Sequence, residues 1–462
     1  MRALPTQSLV VSAALFLSAC DGSLGSGESD ANRRDARAPS DAPGLDAQAI
    51  DAPGLDAQAS DAWTNEDADR PDAFAPIELD ASLIAPLDAA MSVAPDAFAP
   101  DAFAPVDAFV PVDAFMPSPP PTYQTFFSTR PAADGTDTTL EDAVYALIEA
   151  AIPGSQIRVA VFSFTRDRVA DALVRARMRG VDVRVIVDGD VPSSAGGEYA
   201  TLMSGLGAGN VHACDAPGTA CVGSGIMHHK TFLFSALSDG SRNVVMQSSH
   251  NLTNNQLNLH NNAVVIRGDT ALYNAYLRTW NDLFADVENP NYYRIDDGAL
   301  ARVYFFPRND GGDTVVSILD NVRCDATSRI RVEMAFFTDA RRDIATALAA
   351  RQREGCDVRV VVGDAEIPLG SAVASTLTGA GVRLTRYPAR TGGWTIHSKY
   401  LLIDAPYVDA GPHRRLVFTG SHNWTGPALT INDETLLRVE DDAVFAAYLA
   451  DWERTRVAAG RP

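Results

Sequence analysis

A long internal repeat constrains the fold of this chain more than any other feature. Residues 156–190, QIRVAVFSFTRDRVADALVRARMRGVDVRVIVDGD, recur about 173 residues later as RIRVEMAFFTDARRDIATALAARQREGCDVRVVVGDA, residues 329–365. Each copy predicts a buried strand, an amphipathic helix ending at Gly180 or Gly355, and a second β-branched strand. This order predicts a βαβ unit with parallel pairing. A repeat this long predicts two similar α/β halves related by a pseudo-twofold axis, at residues 122–290 and 291–462.

The first 20 residues predict an export signal. Arg2 precedes a short apolar run, which ends in LSAC at Cys20. LSAC resembles the lipobox of bacterial lipoproteins, in which cleavage precedes a cysteine that becomes lipid-modified. An ordinary cleaved signal with an incidental cysteine is the alternative. We therefore expect an exported protein, anchored by lipid at a bacterial membrane on its periplasmic or cell-surface side.

Residues 21–121 form an acidic, low-complexity linker. DAPGLDAQA occurs twice and DAFAP three times in it, and its net charge is −16, against −6 for residue 122 onward. Such a composition buries too little apolar surface to offset chain entropy, so we expect a disordered tether. An array of phenylalanines that binds a partner is the alternative. The strong acidity of the chain thus belongs to the tether and not to the folded part.

Four cysteines follow Cys20 and fall into two pairs. An exported chain meets oxidising conditions, so disulfide bonds are expected within each pair. Metal binding is the alternative, but neither spacing matches a common zinc pattern and no cluster of histidines accompanies either pair. The expected bonds are Cys214 with Cys221 and Cys324 with Cys356.

Two predicted strands repeat a histidine, a lysine and a later polar turn. HHKTFLFS (residues 228–235) aligns with HSKYLLID (residues 397–404), and the strands that follow end in SSHN and GSHN. Side chains two residues apart in a strand point to the same face, so the histidine and lysine of each copy project together. Eleven residues after the turn's asparagine comes Asn262 in the first half and Glu434 in the second.

This series resembles the HKD motif of the phospholipase D superfamily, in which His-x-Lys precedes an Asp and then Gly-Ser-x-Asn. The resemblance extends over residues 123–457 and implies mixed and parallel sheets flanked by helices. The second copy is complete, whereas the first has Ser235 for the Asp, Ser248 for the Gly, and Asn262 opposite Glu434. The implied candidate catalytic residues are His228, Lys230, Ser249, Asn251, His397, Lys399, Asp404, Ser421, Asn423 and Glu434.

These residue types suit the cleavage of a phosphodiester. Lysines, asparagines and hydroxyls from both halves would donate to the phosphoryl oxygens, where transition-state charge is spread. One histidine would attack the phosphorus and the other would protonate the leaving alcohol. We expect Glu434 to stand behind His397 and favour its protonated form, with neutral Asn262 beside His228. His228 is then the nucleophile and His397 the general acid; a degenerate, non-catalytic site is the alternative.

Other residues near the motifs receive more ordinary interpretations. Asp404 lies seven residues from His397 on the opposite strand parity, so we expect it to bond nearby backbone or a basic side chain. Trp394, Trp424 and Asn262 are candidate binding residues, although core packing is equally expected for the tryptophans. We expect His229 and His260 to be exposed or satisfied polar residues, and His212, near Cys214, to lie on a loop surface.

The substrate class is inferred from charge and location. A nuclease domain usually has a basic surface, whereas residue 122 onward is mildly acidic. A lipid anchor would hold the protein beside phospholipid. We therefore expect a monomeric phospholipase D-type hydrolase that forms a phosphohistidine and needs no metal or cofactor, because lysines carry the phosphoryl charge. Its partner would be a phospholipid or a membrane surface. A nuclease acting on nucleic acid and a non-catalytic surface-binding module are the alternatives.

Overall fold

A computed structural model describes residues 120–129, 135–194, 197–215, 218–364, 367–387, 394–408 and 411–460. The predicted signal, Cys20 and the linker up to residue 119 lie outside these residues. Within the described ranges, none of the helices has the length and apolar character needed to span a membrane.

The first half is a mixed sheet flanked by helices. Its elements in chain order are β1 (Thr122–Phe127), α1 (Thr139–Ala150), β2 (Gln156–Val161), α2 (Asp167–Met178), β3 (Asp182–Val187), α3 (Val191–Ser194), α4 (Glu198–Leu206), β4 (Val211–Ala213), β5 (Lys230–Ala236), β6 (Arg242–Ser248), β7 (Leu259–His260), β8 (Asn262–Arg267) and α5 (Thr270–Ala285), with 3-10 helices at Ala208–Asn210 and Asn254–Asn258. The sheet has the strand order β1, β8, β6, β5, β2, β3, β4.

The second half repeats this plan. Its elements are β9 (Arg294–Asp297), β10 (Ala301–Phe306), α6 (Thr314–Asp320), β11 (Arg329–Met334), α7 (Arg342–Arg353), β12 (Asp357–Gly363), α8 (Ser371–Gly379), β13 (Arg383–Tyr387), β14 (Thr395–Ile396), β15 (Lys399–Pro406), β16 (His413–Gly420), α9 (Gly426–Thr430), β17 (Glu434–Glu440) and α10 (Asp442–Ala459), with a 3-10 helix at Asp339–Arg341. The sheet has the order β13, β12, β11, β15, β16, β17, β10, β9.

The predicted βαβ unit is present in both halves. β2 pairs in parallel with β3, and β11 with β12, with α2 and α7 as the connecting helices. Each helix stops two residues before the predicted glycine, and Gly180 and Gly355 adopt φ of 91° and 108°. A residue with a Cβ is disfavoured at such a positive φ, so glycine there lets the chain turn back to the sheet. The fold class is therefore the predicted one, with two α/β halves.

A shared hydrophobic core joins the halves. It contains buried residues of the long helices α5 and α10 together with strand residues of both sheets. The two helices occupy matching positions: the indole N–H of Trp280 donates to Val159 O at 2.9 Å, and that of Trp452 to Val332 O at 2.8 Å. Large aromatic side chains of this kind contribute much of the apolar area that a core removes from water. The core fixes the two sheets relative to one another, which positions any site between them.

Both predicted disulfides are confirmed. Cys214 bonds Cys221 with a Cα separation of 4.6 Å, and Cys324 bonds Cys356 with 5.0 Å. Each bond stays within one half. The first closes a loop just before β5, and the second fixes the segment after α6 to the start of β12.

Candidate active site between the halves

Short parallel pairings between the halves place the two motif histidines. Met227 forms a parallel bridge with Asp433 of the second half, and the backbone N–H of His228 donates to Asp433 O at 3.0 Å. In the matching position, β14 pairs in parallel with β7, and the N–H of His397 donates to His260 O at 2.9 Å. Each histidine therefore lies in a segment that is hydrogen-bonded to the opposite half.

The partner of each histidine ring also comes from the opposite half. Nδ1 of His228 lies 2.9 Å from both carboxylate oxygens of Glu434, and Nδ1 of His397 lies 3.0 Å from Oδ1 of Asn261. The predicted assignment of Glu434 to His397 and of Asn262 to His228 is therefore wrong. It assumed that partners belong to the same copy of the motif, whereas the pairing between halves crosses them.

Asn261, and not Asn262, is the structural counterpart of Glu434. The hydroxyl of Ser249 donates to Asn261 at 2.9 Å, just as the hydroxyl of Ser421 donates to Glu434. The segment from serine to partner is one residue shorter in the first half. Gly268, at φ 83°, is an extra residue that restores the spacing before α5. The two changes compensate, so the number of residues from the motif serine to the following long helix is the same in both halves. The shift in register is therefore not visible in the sequence.

Asn262 has a structural role beside the site. Its Oδ1 accepts hydrogen bonds from the hydroxyl groups of Thr419 at 2.7 Å and Tyr448 at 3.0 Å, both in the second half. Asn262 is fully buried. It therefore contributes to the contact between the halves, and its predicted role as a substrate-binding residue is not supported by its position.

The two motif lysines are held at the start of their strands. Lys230 is fully buried and its ammonium donates to the backbone carbonyl of His228 at 2.8 Å. Lys399 is equally buried and donates in the same way to the carbonyl of His397. The two ammonium groups raise the positive potential between the halves, which suits this place to an anion.

The motif asparagines have buried acceptor atoms that no described residue uses. Asn251 and Asn423 are 4% and 6% exposed, and the Oδ1 atom of each makes no hydrogen bond with the described residues. His250, which precedes Asn251, acts on the pKa of His397, so this turn lies close to the second histidine. Buried polar groups normally have partners, so unpaired atoms in a polar site indicate room for a ligand or water.

Electrostatics tie the histidines, the lysines and the carboxyl into one site. Burial lowers the pKa of His228 and of His397 well below 6.5, and Lys230 and Lys399 lower both further. Burial also raises the pKa of Glu434 to about 8, although the two lysines oppose that shift. Each histidine responds to both lysines, so the halves share one electrostatic environment. Burial and the lysines thus both favour the neutral form of the two rings.

The structure does not bring Asp404 into this site. Asp404 lies near the far end of β15, where it accepts from Arg329 at 2.6 Å and bonds His413 at 2.9 Å. Five residues of β15 separate it from Lys399, a span of about 17 Å along the strand. Its place among the candidate catalytic residues is therefore wrong, and the structural role expected from strand parity is the one observed. Ser235 occupies the matching position in the first half, where its hydroxyl accepts a hydrogen bond from the backbone N–H of Gln156 on the neighbouring strand at 2.8 Å.

The candidate tryptophans are core residues. Trp394 is 1% exposed and its ring lies edge-on to His260, with centroids 5.2 Å apart. Trp424 is 2% exposed and lies edge-on to Phe337 at 4.8 Å. Burial of this degree places both indoles in the core and not on an open wall of the cleft, so the packing alternative holds.

The other histidines have protein partners. His229 is buried and its Nδ1 lies 3.0 Å from the hydroxyl of Thr435. His260 bonds the hydroxyl of Tyr387 at 3.0 Å. His212 differs from the loop-surface expectation, because its Nε2 bonds the largely buried carboxylate of Asp286 at 2.9 Å.

Sequence reasoning missed two residues that shape the site. The carboxylate of Asp433 accepts from the backbone N–H groups of Cys221 at 2.7 Å and Gly223 at 2.6 Å, and so fixes the loop before His228. The ring of Phe162 lies 5.2 Å from the ring of His228 and covers that side of the site. The run NDE at residues 432–434 was the available signal for Asp433, because two adjacent acids before a hydrophobic strand need a structural reason.

Comparison with known proteins identifies the family. Residues 144–283 and 324–456, more than half of the chain, match the family described as cardiolipin synthase, PLD-like domain. Human mitochondrial cardiolipin hydrolase is 27% identical over 143 residues, covering 31% of this chain and 51% of that protein. The corresponding Xenopus laevis protein is 29% identical over 123 residues, covering 27% and 53%. The chain spans about half the length of the curated relatives it matches.

Solved structures show partial likeness at low sequence identity. Phosphatidylserine synthase of Haemophilus influenzae Rd KW20 aligns over 68% of this chain and 83% of its own, with a TM-score of 0.49 and 14% identity. Polyphosphate kinase of Porphyromonas gingivalis aligns over 72% and 50%, with 0.48 and 15%. The family match over both halves is the decisive finding, and it shows that the chain belongs to the phospholipase D superfamily.

Proposed function

We propose that the protein hydrolyses phospholipid by phospholipase D-type chemistry, through a phosphohistidine on His228 and without a metal ion. The observation that carries this proposal is the crossed pairing of the rings: His228 with the carboxyl of Glu434, and His397 with the amide of Asn261. Two otherwise matching histidines thereby acquire different chemistry, which a two-step displacement at phosphorus requires.

The pairing with Glu434 suits His228 to be the nucleophile. When the carboxylate accepts the Nδ1–H of the ring, the lone pair remains on Nε2, which is the atom that can attack phosphorus. The same carboxylate stabilises the positive charge that the ring acquires once phosphorus is bonded to it. Lys230 and Lys399 would hold the phosphoryl oxygens during the transfer.

Asn261 suits His397 to be the acid in the first step. A neutral amide oxygen orients the Nδ1–H but adds no full negative charge, so the protonated ring gives up its Nε2 proton more readily than a carboxylate-paired ring would. In the second step the neutral ring takes a proton from water, which attacks the phosphohistidine and releases His228.

Substrate charge reconciles this role with the resting state of His397. In the empty site burial and the lysines hold the pKa of His397 well below 6.5, so the ring is neutral. A bound phosphodiester places a negative charge between the lysines and offsets their effect. Protonation of His397 is therefore expected to accompany substrate binding.

Phospholipid is the favoured substrate class for two reasons. The family's description and the matched relatives name cardiolipin synthase and cardiolipin hydrolase. In addition, residue 122 onward carries a net charge of −6, which disfavours a polyanionic nucleic acid. We further propose that a lipid on Cys20 holds the enzyme at a membrane surface.

The test compares three substrates with the purified full-length chain. Phosphatidylcholine and cardiolipin in mixed micelles, and plasmid DNA, are incubated with the wild type and with His228→Ala. We expect release of headgroup or of phosphatidic acid that depends on His228. Cleavage of DNA alone would identify a nuclease instead, and no cleavage of any substrate, with the fold intact, would indicate a binding module.

Metal independence is tested in the same assay. The substrate is a water-soluble phosphodiester, because calcium-dependent docking to micelles would otherwise obscure the chemistry. EDTA is added, and reductant is left out so that the disulfides stay intact. We expect unchanged activity, since Lys230 and Lys399 supply the charge that a metal ion would supply elsewhere. Loss of activity with chelator and its return with a divalent ion would contradict the proposal.

A further inference from the structure

A group of side chains with the ligand types of a metal site lies outside the active site, beside the edge strand β4 of the first half. One ligand atom each of His212, Cys221 and Asp286 lies within 4.8 Å of the others. Cys214 is not part of this group, but its sulfur is bonded to that of Cys221 and so lies next to it. His212 belongs to β4, the cysteines bound the following loop, and Asp286 directly follows α5. Three separate chain segments therefore converge on one point.

Asp286 has features that its known contacts do not explain. Its side chain is only 7% exposed, and its Oδ1 atom makes no hydrogen bond with the described residues. Its Oδ2 accepts from His212 Nε2 at 2.9 Å and from Asp215 N at 2.8 Å. Its backbone adopts φ 54°, the left-handed conformation in which Asp286 caps the end of α5. A buried carboxylate oxygen without a partner is an available ligand for a cation.

We propose that reduction of the Cys214–Cys221 bond converts this group into a zinc site, with His212, both thiolates and Asp286 as ligands. A dithiol or phosphine reductant supplies two electrons to the sulfur–sulfur bond, and each sulfur takes up a proton. Binding of Zn²⁺ then displaces the two thiol protons into solvent. The donor set of one imidazole, two thiolates and one carboxylate is of the kind that zinc takes in tetrahedral sites.

The geometry requires only small movements. Zinc lies about 2.3 Å from sulfur and about 2.0 Å from nitrogen or oxygen, so neighbouring ligand atoms in a tetrahedral site are about 3.3 to 3.8 Å apart. The ligand atoms of His212, Cys221 and Asp286 already lie within 4.8 Å of one another. A contraction of about 1 Å brings these three atoms to tetrahedral spacing. The sulfur of Cys214, once reduction frees it from Cys221, must then move in as the fourth ligand.

This site would control the loop that precedes the catalytic histidine. Backbone N–H groups of Cys221, Val222 and Gly223 donate to the carboxylate of Asp433, the residue before Glu434. The disulfide cross-links this loop in the oxidised chain. Zinc would cross-link the same loop in the reduced chain, so His228 and Glu434 would keep their support in both redox states.

The second disulfide offers an internal comparison. Among the described residues, no group of three or more His, Cys, Asp and Glu ligands includes Cys324 or Cys356. Reduction there releases two thiols with no imidazole or carboxylate placed to complete a site. The metal-binding property therefore belongs to the first pair alone.

The experiment measures metal binding in the full-length chain with Cys20→Ser, Cys324→Ser and Cys356→Ser. The protein is folded oxidised, then reduced with a phosphine without air, and two free thiols are counted. Co²⁺ is added as a probe, since tetrahedral thiolate coordination gives a sulfur-to-cobalt charge-transfer band and visible d–d bands. We expect one Co²⁺ per chain, displaced by Zn²⁺, and none in the oxidised protein.

Two ligand variants decide between this site and a simple dithiol. His212→Ala and Asp286→Asn keep the disulfide, so their folding is verified before reduction. Each should lower Co²⁺ affinity by at least about tenfold and alter the d–d bands. Wild-type affinity and spectra in both variants would overturn the proposal. So would failure of the reduced chain to bind Co²⁺, or a disulfide that resists reduction until the chain unfolds.

Discussion

The two sides of the active site carry the same histidine and lysine but differ in what stands behind the ring. On one side the partner of His228 is the carboxyl of Glu434, and on the other the partner of His397 is the amide of Asn261. The serines that hold these partners, Ser421 and Ser249, are equivalent. A single exchange of side chain in a repeated scaffold therefore separates the properties of two otherwise matching histidines.

The difference also explains why each half is incomplete alone. The carboxyl that tunes the first histidine belongs to the second half, and the amide that orients the second histidine belongs to the first. Short parallel pairings, Met227 with Asp433 and Ile396 with His260, fix both exchanges. The site thus depends on the contact between the halves, which the shared core stabilises.

The largest expected effect comes from removing either ring. His228→Ala should lower kcat/KM by about 10⁴-fold or more, because no covalent intermediate can form. His397→Ala should lower it by about 10²- to 10⁴-fold, and by less for a substrate whose leaving group is a nitrophenol, which needs little protonation. Steady-state kinetics on both substrates measure this.

The control for this comparison is His413→Ala, a histidine outside the site that pairs with Asp404. It should retain wild-type kcat. Equal sensitivity of both ring variants to leaving-group acidity would contradict the division of roles between His228 and His397.

The next largest effect concerns the carboxyl behind His228. Burial raises the pKa of Glu434 to about 8, so the carboxyl holds a proton at lower pH and the ring keeps its proton on Nε2. As pH rises through about 8 the carboxylate forms, takes the Nδ1–H bond and frees Nε2. We therefore expect kcat/KM to rise with pH up to about 8.

Glu434→Gln isolates this titration. An amide oxygen can accept the Nδ1–H at any pH, so the rising limb should move to lower pH, while the rate falls by about 10²-fold because the phosphohistidine charge is less stabilised. Asn261→Asp is the matched change behind His397. It should leave the rise of kcat/KM near pH 8 in place. An unchanged pH profile in Glu434→Gln would show that another group sets the limb.

Much of the fold was predictable because the repeat carries it twice. The alternation in β5 and β15 and the glycines after α2 and α7 are local signals, and local signals determine strands, helix ends and parallel units. The crossed ring partners were not predictable, because pairing between halves is a tertiary property. Asn261 was hidden further because Gly268 restores the offset between the halves before α5, so the same count from the two motif asparagines leads to Asn262.

A smaller effect is expected where the two halves differ at Asp404 and Ser235, and it concerns the free energy of unfolding and not the catalytic rate. Asp404→Ser gives the second half the residue that the first half has at Ser235. It removes the contacts with Arg329 and His413 and should lower the free energy of unfolding by about 1 to 3 kcal/mol, with kcat unchanged. Chemical denaturation and kinetics on one preparation measure both quantities.

The pH dependence of this loss has a defined sign. Although burial opposes it, the bonds with His413 and Arg329 lower the pKa of Asp404 below its ordinary value. A lowered carboxyl pKa stabilises the fold above the unfolded value and loses this contribution as pH falls through the folded value. The difference between wild type and Asp404→Ser should therefore shrink in acid. A difference that grows in acid would contradict this account.

The smallest expected effect is a change in the protonation of His397 when an anion binds. Burial and the two lysines lower the pKa of His397 in the empty site. Inorganic phosphate between Lys230 and Lys399 would offset the lysines and raise that pKa. At His228 the same anion also raises the pKa of Glu434, which keeps the carboxyl protonated and withholds its charge from the ring. The rise should therefore be larger at His397.

Proton NMR of the ring C–H signals follows both histidines during a pH titration with and without phosphate. His413 is the control, since Asp325 and Asp404 raise its pKa at a position remote from the lysines. Calorimetry establishes that phosphate binds. If phosphate binds and His397 titrates as it does in the empty site, substrate cannot supply the charge that makes this ring an acid, and the leaving alcohol must take its proton from another group.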